Sequence, residues 1–219
     1  MPNTLLQSGL HALHLTRSLE TQTQLLNYLS LLKKWNKAYN LTAITETDKM
    51  ITHHLLDSLS VAPYINGYRI VDVGSGAGLP GIPLAIYFPD KQFTLIDSVG
   101  KKVRFMQHAV RELGLKNIEI VQTRAEEYQT PERFDIMIAR AVAAVEVLVN
   151  IARQLLHPQG KLLMMKSEDA PLPGYRVISL SVPGISAKRS LIIKEDWGQK
   201  SLQSQIKKAV WAKRPPALI

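Results

Sequence analysis

The stretch Arg69–Gly81, RIVDVGSGAGLPG, decides the fold of this chain. Ile70, Val71 and Val73 predict a short buried strand, and glycines follow at positions 74, 76, 78 and 81. Glycine accepts positive φ angles and has no Cβ, so a strand that enters such a turn before a helix brings backbone close to a nucleotide-like ligand. A plain strand-to-helix connection has the same pattern, and the flanking sequence has to decide between the two.

Strand and helix patterns alternate downstream of this stretch. The predicted strands are Phe93–Asp97, Ile118–Gln122, Phe134–Ala139 and Lys161–Lys166, with a closing antiparallel pair at Tyr175–Leu180 and Ser190–Lys194. The predicted helices begin near Ile82 and cover Lys101–Leu113 and Val145–Leu156. This alternation indicates an α/β fold in which helices cover both faces of a mostly parallel sheet.

The N-terminal third is predicted to be helical. Apolar residues recur at helical spacing between Thr16 and Tyr39 and again over Asp48–Leu59. A further basic helix is predicted at Gln199–Lys213. We therefore expect an N-terminal helical cap at residues 1–66, an α/β domain at 67–194 and a basic C-terminal tail at 195–219, within one compact domain overall.

Composition narrows the class of protein. The chain has 219 residues, a formal net charge of +9 and no cysteine. Most of the positive charge lies in residues 188–219, which favours a polyanionic partner, although a solvated basic tail gives the same count. Without cysteine there are no disulfides or thiolate metal sites, which is typical of the cytoplasm. No apolar run reaches the roughly 18 residues that span a bilayer, and no secretory leader is expected.

Chemically useful residues are predicted at the carboxyl ends of the strands, where open α/β sheets bind ligands. Asp97 ends the second strand, where a carboxylate can accept both hydroxyls of a ribose. Ala125 and Glu126 follow the third strand and would bracket an adenine, and Arg140 follows the fourth. Each has a structural alternative, because Asp97 can cap a helix, Glu126 can be solvated and Arg140 can be an ion-pair partner. Together they favour an adenosine-type ligand.

Two cofactor classes share this geometry. A nicotinamide dinucleotide favours G-x-G-x-x-G before a helix N-terminus, whereas this loop reads G-x-G-x-G-L-P-G and prolines 80 and 83 crowd the helix start. A second domain of the size that dehydrogenases need is also missing from the pattern. Residues 72–78, DVGSGAG, instead resemble the first motif of class I S-adenosylmethionine-dependent methyltransferases. That resemblance implies a Rossmann-like, seven-stranded, mostly parallel sheet with its last strand antiparallel.

Four blocks carry a closer resemblance: WNKAYNLT at residues 35–42, HLLDS at 54–58, DVGSGAGLPGIP at 72–83 and DSVGKKVRF at 97–105. In this order they resemble the RsmG (GidB) family, bacterial enzymes that methylate N7 of a guanine in 16S ribosomal RNA. The resemblance covers roughly residues 10–194, whereas such proteins commonly stop soon after the last strand. It implies that S-adenosylmethionine contacts Gly74, Leu79, Ala125, Glu126 and Arg140, with Gly76 and Asp97 expected from the wider class.

The resemblance also implies a mechanism without a protein base. Guanine N7 has a free lone pair at neutral pH and needs no deprotonation before it attacks a methyl group. Arg140 is the candidate catalytic residue, because it can hold the guanine or the charged end of the cofactor. No metal is expected, since His53 and His54 are adjacent and point apart on a helix.

RNA contacts are predicted around the pocket. The candidates for phosphate contact are Lys101, Lys102, Arg104 and Lys166, and the resemblance places Asn40 and His54 in a cap over the pocket. The structural alternatives are solvated lysines and a core histidine with a satisfied hydrogen bond.

The predicted function is methyl transfer from S-adenosylmethionine to N7 of a specific guanine in 16S ribosomal RNA. A non-catalytic RNA-binding or ribosome-assembly factor on the same fold is the main alternative, and a nicotinamide-dependent oxidoreductase is a third. We expect a cytoplasmic monomer whose partner is 16S ribosomal RNA or the small ribosomal subunit, with no membrane contact.

Overall fold

The sheet of this protein has the strand order β3-β2-β1-β4-β5-β7-β6. The computed structural model describes residues 2–140, 144–167 and 173–197, and seven strands lie within these ranges. They are β1 Arg69–Val73, β2 Gln92–Asp97, β3 Ile118–Gln122, β4 Phe134–Arg140, β5 Leu156–Lys166, β6 Arg176–Ser179 and β7 Ser190–Lys194. Strands β1 to β5 pair in parallel, and β7 is antiparallel to both of its neighbours, β5 and β6. The expected sheet is confirmed.

Helices precede and separate these strands. They are α1 Pro2–Ala12, α2 Leu19–Tyr39, α3 Thr47–Met50, α4 Asp57–Leu59, α5 Gly81–Tyr87, α6 Gly100–Glu112 and α7 Val145–Leu155. A π-helical segment, Ile51–Leu56, joins α3 to α4, and short 3₁₀ helices lie at Ala62–Tyr64 and Ala125–Glu127. Within the described residues, no helix combines the length and the apolar character that crossing a lipid bilayer requires.

Alternate residues of each strand face opposite sides of the sheet. In β1, Ile70 packs in the core shared with α1, α2, α5 and α6, whereas Val71 and Val73 pack in the core beneath α7. In β4, Ile138 belongs to the first core and Met137 to the second. Because side chains alternate along a strand, both sets are buried only when helices cover both faces.

Two local predictions need correction. Helix α1 lies within the predicted helical cap, but no separate helix is predicted before Thr16. The helix predicted from Thr16 begins at Leu19, because the Ser18 side chain accepts a hydrogen bond from Thr21 N–H and caps α2 there. The helix predicted over Asp48–Leu59 is in place but contains the π-helical segment.

Strand β5 is also longer than the predicted Lys161–Lys166. Phe134 of β4 pairs with Leu156 and Ile136 pairs with Lys161. The register shifts between these two pairs, so β5 has more residues than β4 over this part of the ladder. The helix predicted at Gln199–Lys213 lies outside the described residues, and the domain boundaries after 66 and 194 stay predictions.

The N-terminal helices are attached to the glycine-rich turn that follows β1. The buried Tyr28 hydroxyl of α2 donates a hydrogen bond to the Ala77 carbonyl oxygen at 2.7 Å. Arg17, just before α2, lies over the Tyr87 ring of α5 at 4.3 Å from its centroid. The cap and one face of the sheet therefore share a single hydrophobic core.

Tyr28→Phe tests this attachment. Removal of the hydroxyl leaves the Ala77 carbonyl buried without that donor, so we expect the free energy of unfolding to fall by about 1–2 kcal/mol in urea denaturation. Tyr64→Phe is the matched control, because the Tyr64 ring packs on the same core and its hydroxyl has no hydrogen bond among the described residues. Equal effects of the two substitutions would contradict the assigned role of the hydroxyl.

Candidate active site

A cavity of about 760 Å³ opens at the carboxyl ends of the parallel strands. Its lining includes Val73 at the end of β1, Asp97 at the end of β2, Arg140 at the end of β4 and Lys166 at the end of β5. Strand β1 has β2 on one side and β4 on the other, so the cavity lies where the direction of winding reverses. This is the position at which open α/β sheets bind ligands, and the volume suits a ligand of cofactor size.

The glycine-rich turn forms one wall of the cavity. Gly74 and Ser75 donate their backbone N–H groups to the Ile96 carbonyl at 2.8 and 3.1 Å, which folds the turn over the end of β2. Gly74, Gly76 and Gly78 have φ angles of +70°, +62° and +86°, a region that favours glycine. A Cβ at Gly76 would find no protein atom closer than the Gly74 carbonyl oxygen at 3.9 Å, so backbone there is open to a ligand.

The Asp97 carboxylate joins this turn to the residue that precedes α6 by hydrogen bonds. Its Oδ2 atom accepts a hydrogen bond from Gly76 N–H and its Oδ1 atom accepts one from Val99 N–H, both at 2.8 Å. Lys102 Nζ lies 3.6 Å from Oδ2. The N-cap residue of α6 is Val99 and no side chain caps that helix, so the predicted helix-capping role of Asp97 is wrong. Each carboxylate oxygen of Asp97 still has a lone pair for a ligand.

Asp72 lies beneath the same turn and is fully buried. Its Oδ2 atom accepts the Gly81 N–H at 2.9 Å, and its Oδ1 atom has no hydrogen-bond partner among the described residues. Burial raises the pKa of Asp72 from 3.8 to about 7, against the smaller lowering effects of the Gly81 hydrogen bond and of Arg140.

The residues predicted to bracket an adenine also line the cavity. Ala125 and Glu126 begin the short 3₁₀ helix that follows β3, and both line the cavity. Glu126 is exposed, and Ala125 packs beside the core beneath α7. Leu79 of the glycine-rich turn also lines the cavity and is buried.

Arg140 belongs to a buried cluster of charges at the cavity. Its Nη1 atom donates to Asp57 Oδ2 at 3.2 Å and to the His53 carbonyl at 3.3 Å. Arg189 Nε donates to the other oxygen of the same carboxylate, Asp57 Oδ1, at 3.0 Å. The predicted ion-pair alternative for Arg140 is therefore present, at a position that also faces the cavity.

His54 is a buried residue of the cap that also lines the cavity. Its Nε2 atom lies 3.0 Å from Thr42 Oγ1, and Asn36 fixes Thr42 through hydrogen bonds to both its N–H and its carbonyl. Burial and then the Arg140 charge lower the pKa of His54 from 6.5 to about 4. The ring is neutral at physiological pH. The core-histidine alternative is met in part, because Nε2 has a hydrogen-bond partner whereas the buried Nδ1 atom has none among the described residues.

The predicted RNA contacts divide into two groups. Lys102 and Lys166 line the cavity together with His54. The others lie outside its lining: Arg104 is exposed on α6, Lys101 Nζ donates to the Tyr39 carbonyl at 2.8 Å, and Asn40 caps α2 in a left-handed conformation. Each of these three residues lies within two positions, along the chain, of a residue that lines the cavity.

Sequence reasoning missed Asp57, Arg189 and Thr42. Asp57 belongs to the HLLDS block and Thr42 to the WNKAYNLT block, and membership of these family-like blocks is the sequence signal that could have identified them. Arg189 was counted only within the basic C-terminal charge. Among the described residues, no group of three or more histidine, aspartate and glutamate side chains is arranged to hold a metal ion.

Asp72→Asn gives a pH-dependent prediction. Between about pH 4 and pH 7 the folded chain holds a proton on Asp72 that the unfolded chain has released, so this group's stabilising contribution is lost as pH rises. Asparagine stays neutral and keeps an oxygen for Gly81 N–H. We expect the variant to gain stability relative to the native chain at pH 8 compared with pH 5, measured by urea denaturation. The exposed Asp90, changed to asparagine, controls for loss of a carboxylate; an equal difference at both pH values would refute the prediction.

Comparisons with known proteins agree with this geometry. The family model of rRNA small subunit methyltransferase G, GidB, matches residues 21–171. The chain is 50% identical to ribosomal RNA small subunit methyltransferase G of Hydrogenovibrio crunogenus over 78% of its own length and 83% of that protein. It is 48% identical to the protein of the same name from Marinobacter nauticus over 86% of the chain and 92% of the relative.

A solved structure supports the fold alone. A SAM-dependent methyltransferase from Aquifex aeolicus matches 66% of this chain and 91% of its own at 18% identity, with a TM-score of 0.51. The Rossmann-like methyltransferase fold expected from the sequence is thus confirmed. By the extent of the family match and the identity to these relatives, the chain belongs to the rRNA small subunit methyltransferase G (GidB) family.

Proposed function

We propose that this chain transfers a methyl group from S-adenosylmethionine to N7 of a guanine in 16S ribosomal RNA. The observation that carries the proposal is the cavity at the strand ends, in which the open backbone at Gly76, the Asp97 carboxylate and Arg140 face one space. Its relatives bear the name of small-subunit ribosomal RNA methyltransferases.

The cavity residues fit S-adenosylmethionine. Gly74 and Gly76 offer backbone without side chains to the amino-acid end of the cofactor, and Asp97 offers its remaining lone pairs to the ribose hydroxyls. Ala125 and Glu126 lie where they would bracket the adenine, with Leu79 as an apolar contact. When bound, the cofactor supplies an electrophilic methyl group on a sulfonium.

The protein then has to position the acceptor without removing a proton from it. Guanine N7 is already a free acceptor, so orientation and exclusion of water are sufficient for the chemistry. His54 is neutral above about pH 4 and adds no positive charge that would repel a sulfonium. Arg140 is the proposed catalytic residue, because its guanidinium faces the same cavity and can hold the guanine or the cofactor carboxylate.

The RNA contacts the protein through its phosphates and inserts one unstacked base into the cavity. The target base has to leave its stack to meet the methyl donor. We propose that Lys102 and Lys166 contact phosphates at the cavity, and that Lys101, Arg104 and Asn40 extend this surface across the ends of α2 and α6. Because ribosomes lie in the bacterial cytoplasm, this substrate also favours a cytoplasmic location for the protein.

The proposal predicts a large effect of Arg140→Ala. With tritiated S-adenosylmethionine and purified small subunits, we expect transfer to fall at least about 100-fold, because loss of correct orientation has effects of that size. Arg111→Ala on α6 is the control, since its side chain is 74% exposed. Mass-spectrometric mapping of the product nucleoside identifies N7.

Two outcomes would reject parts of this proposal. Transfer by the Arg140→Ala variant at the rate of the Arg111→Ala variant would remove Arg140 from the site. Calorimetry that finds no binding of S-adenosylmethionine at millimolar concentration would favour the non-catalytic RNA-binding alternative, and binding of NADH in the same assay would favour an oxidoreductase.

We also propose that the basic tail adds phosphate contacts. Residues 198–219 contain five lysines and arginines and no acidic residue. Trp197, just before them, donates its indole N–H to the Gly160 carbonyl at 2.8 Å, and Lys194 lies over its ring. A chain that ends at Trp197 therefore keeps these interactions of the described fold.

Truncation after Trp197 tests the tail. We expect the slope of log affinity for RNA against log salt to become shallower by about 0.7–0.9 for each phosphate that the tail neutralises, while the affinity for S-adenosylmethionine is unchanged. A full-length chain with the five basic residues changed to glutamine is the control for length. An unchanged slope would show that the tail neutralises no phosphate.

A further inference from the structure

The Asp57 carboxylate lies between two guanidinium groups at the cavity. Each carboxylate oxygen accepts a hydrogen bond from one guanidinium: Oδ2 from Arg140 Nη1 at 3.2 Å, and Oδ1 from Arg189 Nε at 3.0 Å. The Asp57 side chain is 7% exposed, and those of Arg140 and Arg189 are 23% and 20% exposed. All three line the cavity, so this is a largely desolvated cluster that faces the ligand.

These three residues come from separate parts of the fold. Asp57 begins α4 in the N-terminal cap, Arg140 ends β4, and Arg189 directly precedes β7. His53 lies one helical turn before Asp57, and its carbonyl accepts from the same Nη1 atom of Arg140. One carboxylate thus joins the cap to two strand ends at the point where both meet the cavity.

The charges of this cluster do not cancel. Two arginines share one carboxylate, so the three side chains of the cluster together carry one net positive charge. The hydrogen bonds between described residues use Nη1 of Arg140 and Nε and Nη1 of Arg189, and both side chains line the cavity. A guanidinium fork recognises carboxylates and phosphates.

We propose that Asp57 is a positioning residue for methyl transfer: it holds Arg140 and Arg189, one on each oxygen, so that together they bind one anionic group in the cavity. That group is either the carboxylate of S-adenosylmethionine or a phosphodiester of the target RNA, since both present the same oxygen chemistry. The inference rests on the proposed function for its reaction, while the binding that it assigns is measured without turnover.

Asp57→Asn isolates the charge of this residue. The amide keeps the shape of the side chain but cannot attract both guanidiniums, so the arginines repel each other and leave their positions. We expect kcat to fall about 100-fold, because a displacement of about 1 Å at a reacting centre has an effect of this size. Asp57→Glu, which keeps the charge, restores part of the loss.

Asp135→Asn is the matched control. Asp135 Oδ2 accepts the backbone N–H groups of Tyr68 and Arg69 at 2.8 and 2.9 Å, at the opposite end of the strands from the cavity. Both variants lose a carboxylate that joins two segments, so urea denaturation of each measures the purely structural effect. Only the Asp57 variant is expected to lose kcat beyond what its unfolded fraction explains.

Separate binding measurements assign the anion. A weaker Kd for S-adenosylmethionine in the Asp57→Asn variant, with unchanged RNA affinity, identifies the cofactor carboxylate; weaker RNA affinity with unchanged cofactor Kd identifies a phosphodiester. In both cases the double variant Asp57→Asn/Arg189→Gln should lose less than the product of the single losses, because it removes one of the two repelling charges.

The inference is overturned if the Asp57→Asn variant binds both ligands as the native chain does, or if its loss of kcat matches its loss of folded protein. A native chain that binds S-adenosylmethionine and RNA but transfers no methyl group would contradict the proposed function instead. The binding results for Asp57 would then still decide whether the cluster holds an anion.

Discussion

The structure depends on the closed turn that residues 74–81 make over the ends of β1 and β2. Besides the Gly74 and Ser75 N–H bonds to Ile96, three contacts with side chains hold it: Gly76 N–H donates to Asp97, Gly81 N–H donates to the buried Asp72, and the Ala77 carbonyl accepts from the Tyr28 hydroxyl. The first joins the turn to β2, the second ties its far end back to β1, and the third attaches it to the cap. A turn held from three sides keeps its backbone open at Gly76 without collapsing into the cavity.

Buried carboxylates around this turn are satisfied in different ways, and the difference divides their roles. Asp97 accepts two backbone N–H groups, and Asp57 faces two guanidiniums. Asp72 accepts one N–H while fully buried, and its pKa rises to about 7 for that reason. The turn thus rests on a carboxyl group that gains or loses a proton near neutral pH, whereas the cavity wall carries the fixed charges that a ligand meets.

The sequence predicted what local pattern determines. Strands β3 and β7 have the expected bounds, because apolar runs bounded by turn residues specify them directly. The cavity residues Asp97, Glu126 and Arg140 were found because strand order alone brings strand ends together. Asp57 was missed because its partners, Arg140 and Arg189, lie 83 and 132 residues away along the chain. The spacing of apolar residues predicts helices and strands but not contacts between such distant residues. The π-helical segment was missed too, since its bonding depends on packing.

Helix α1 lies within the predicted cap but was not predicted as a separate helix, and its packing connects it to the site. A Cβ at Gly9 of α1 would overlap the Leu56 side chain, so glycine there allows α1 to lie directly against the π-helical segment. Leu56 is fully buried and immediately precedes Asp57. The segment is therefore clamped between α1 on one side and, through Asp57, the arginines of the sheet on the other. A helix far from the strand ends in sequence thus packs against the residue that precedes the Asp57 carboxylate, within the core that the cap shares with one face of the sheet.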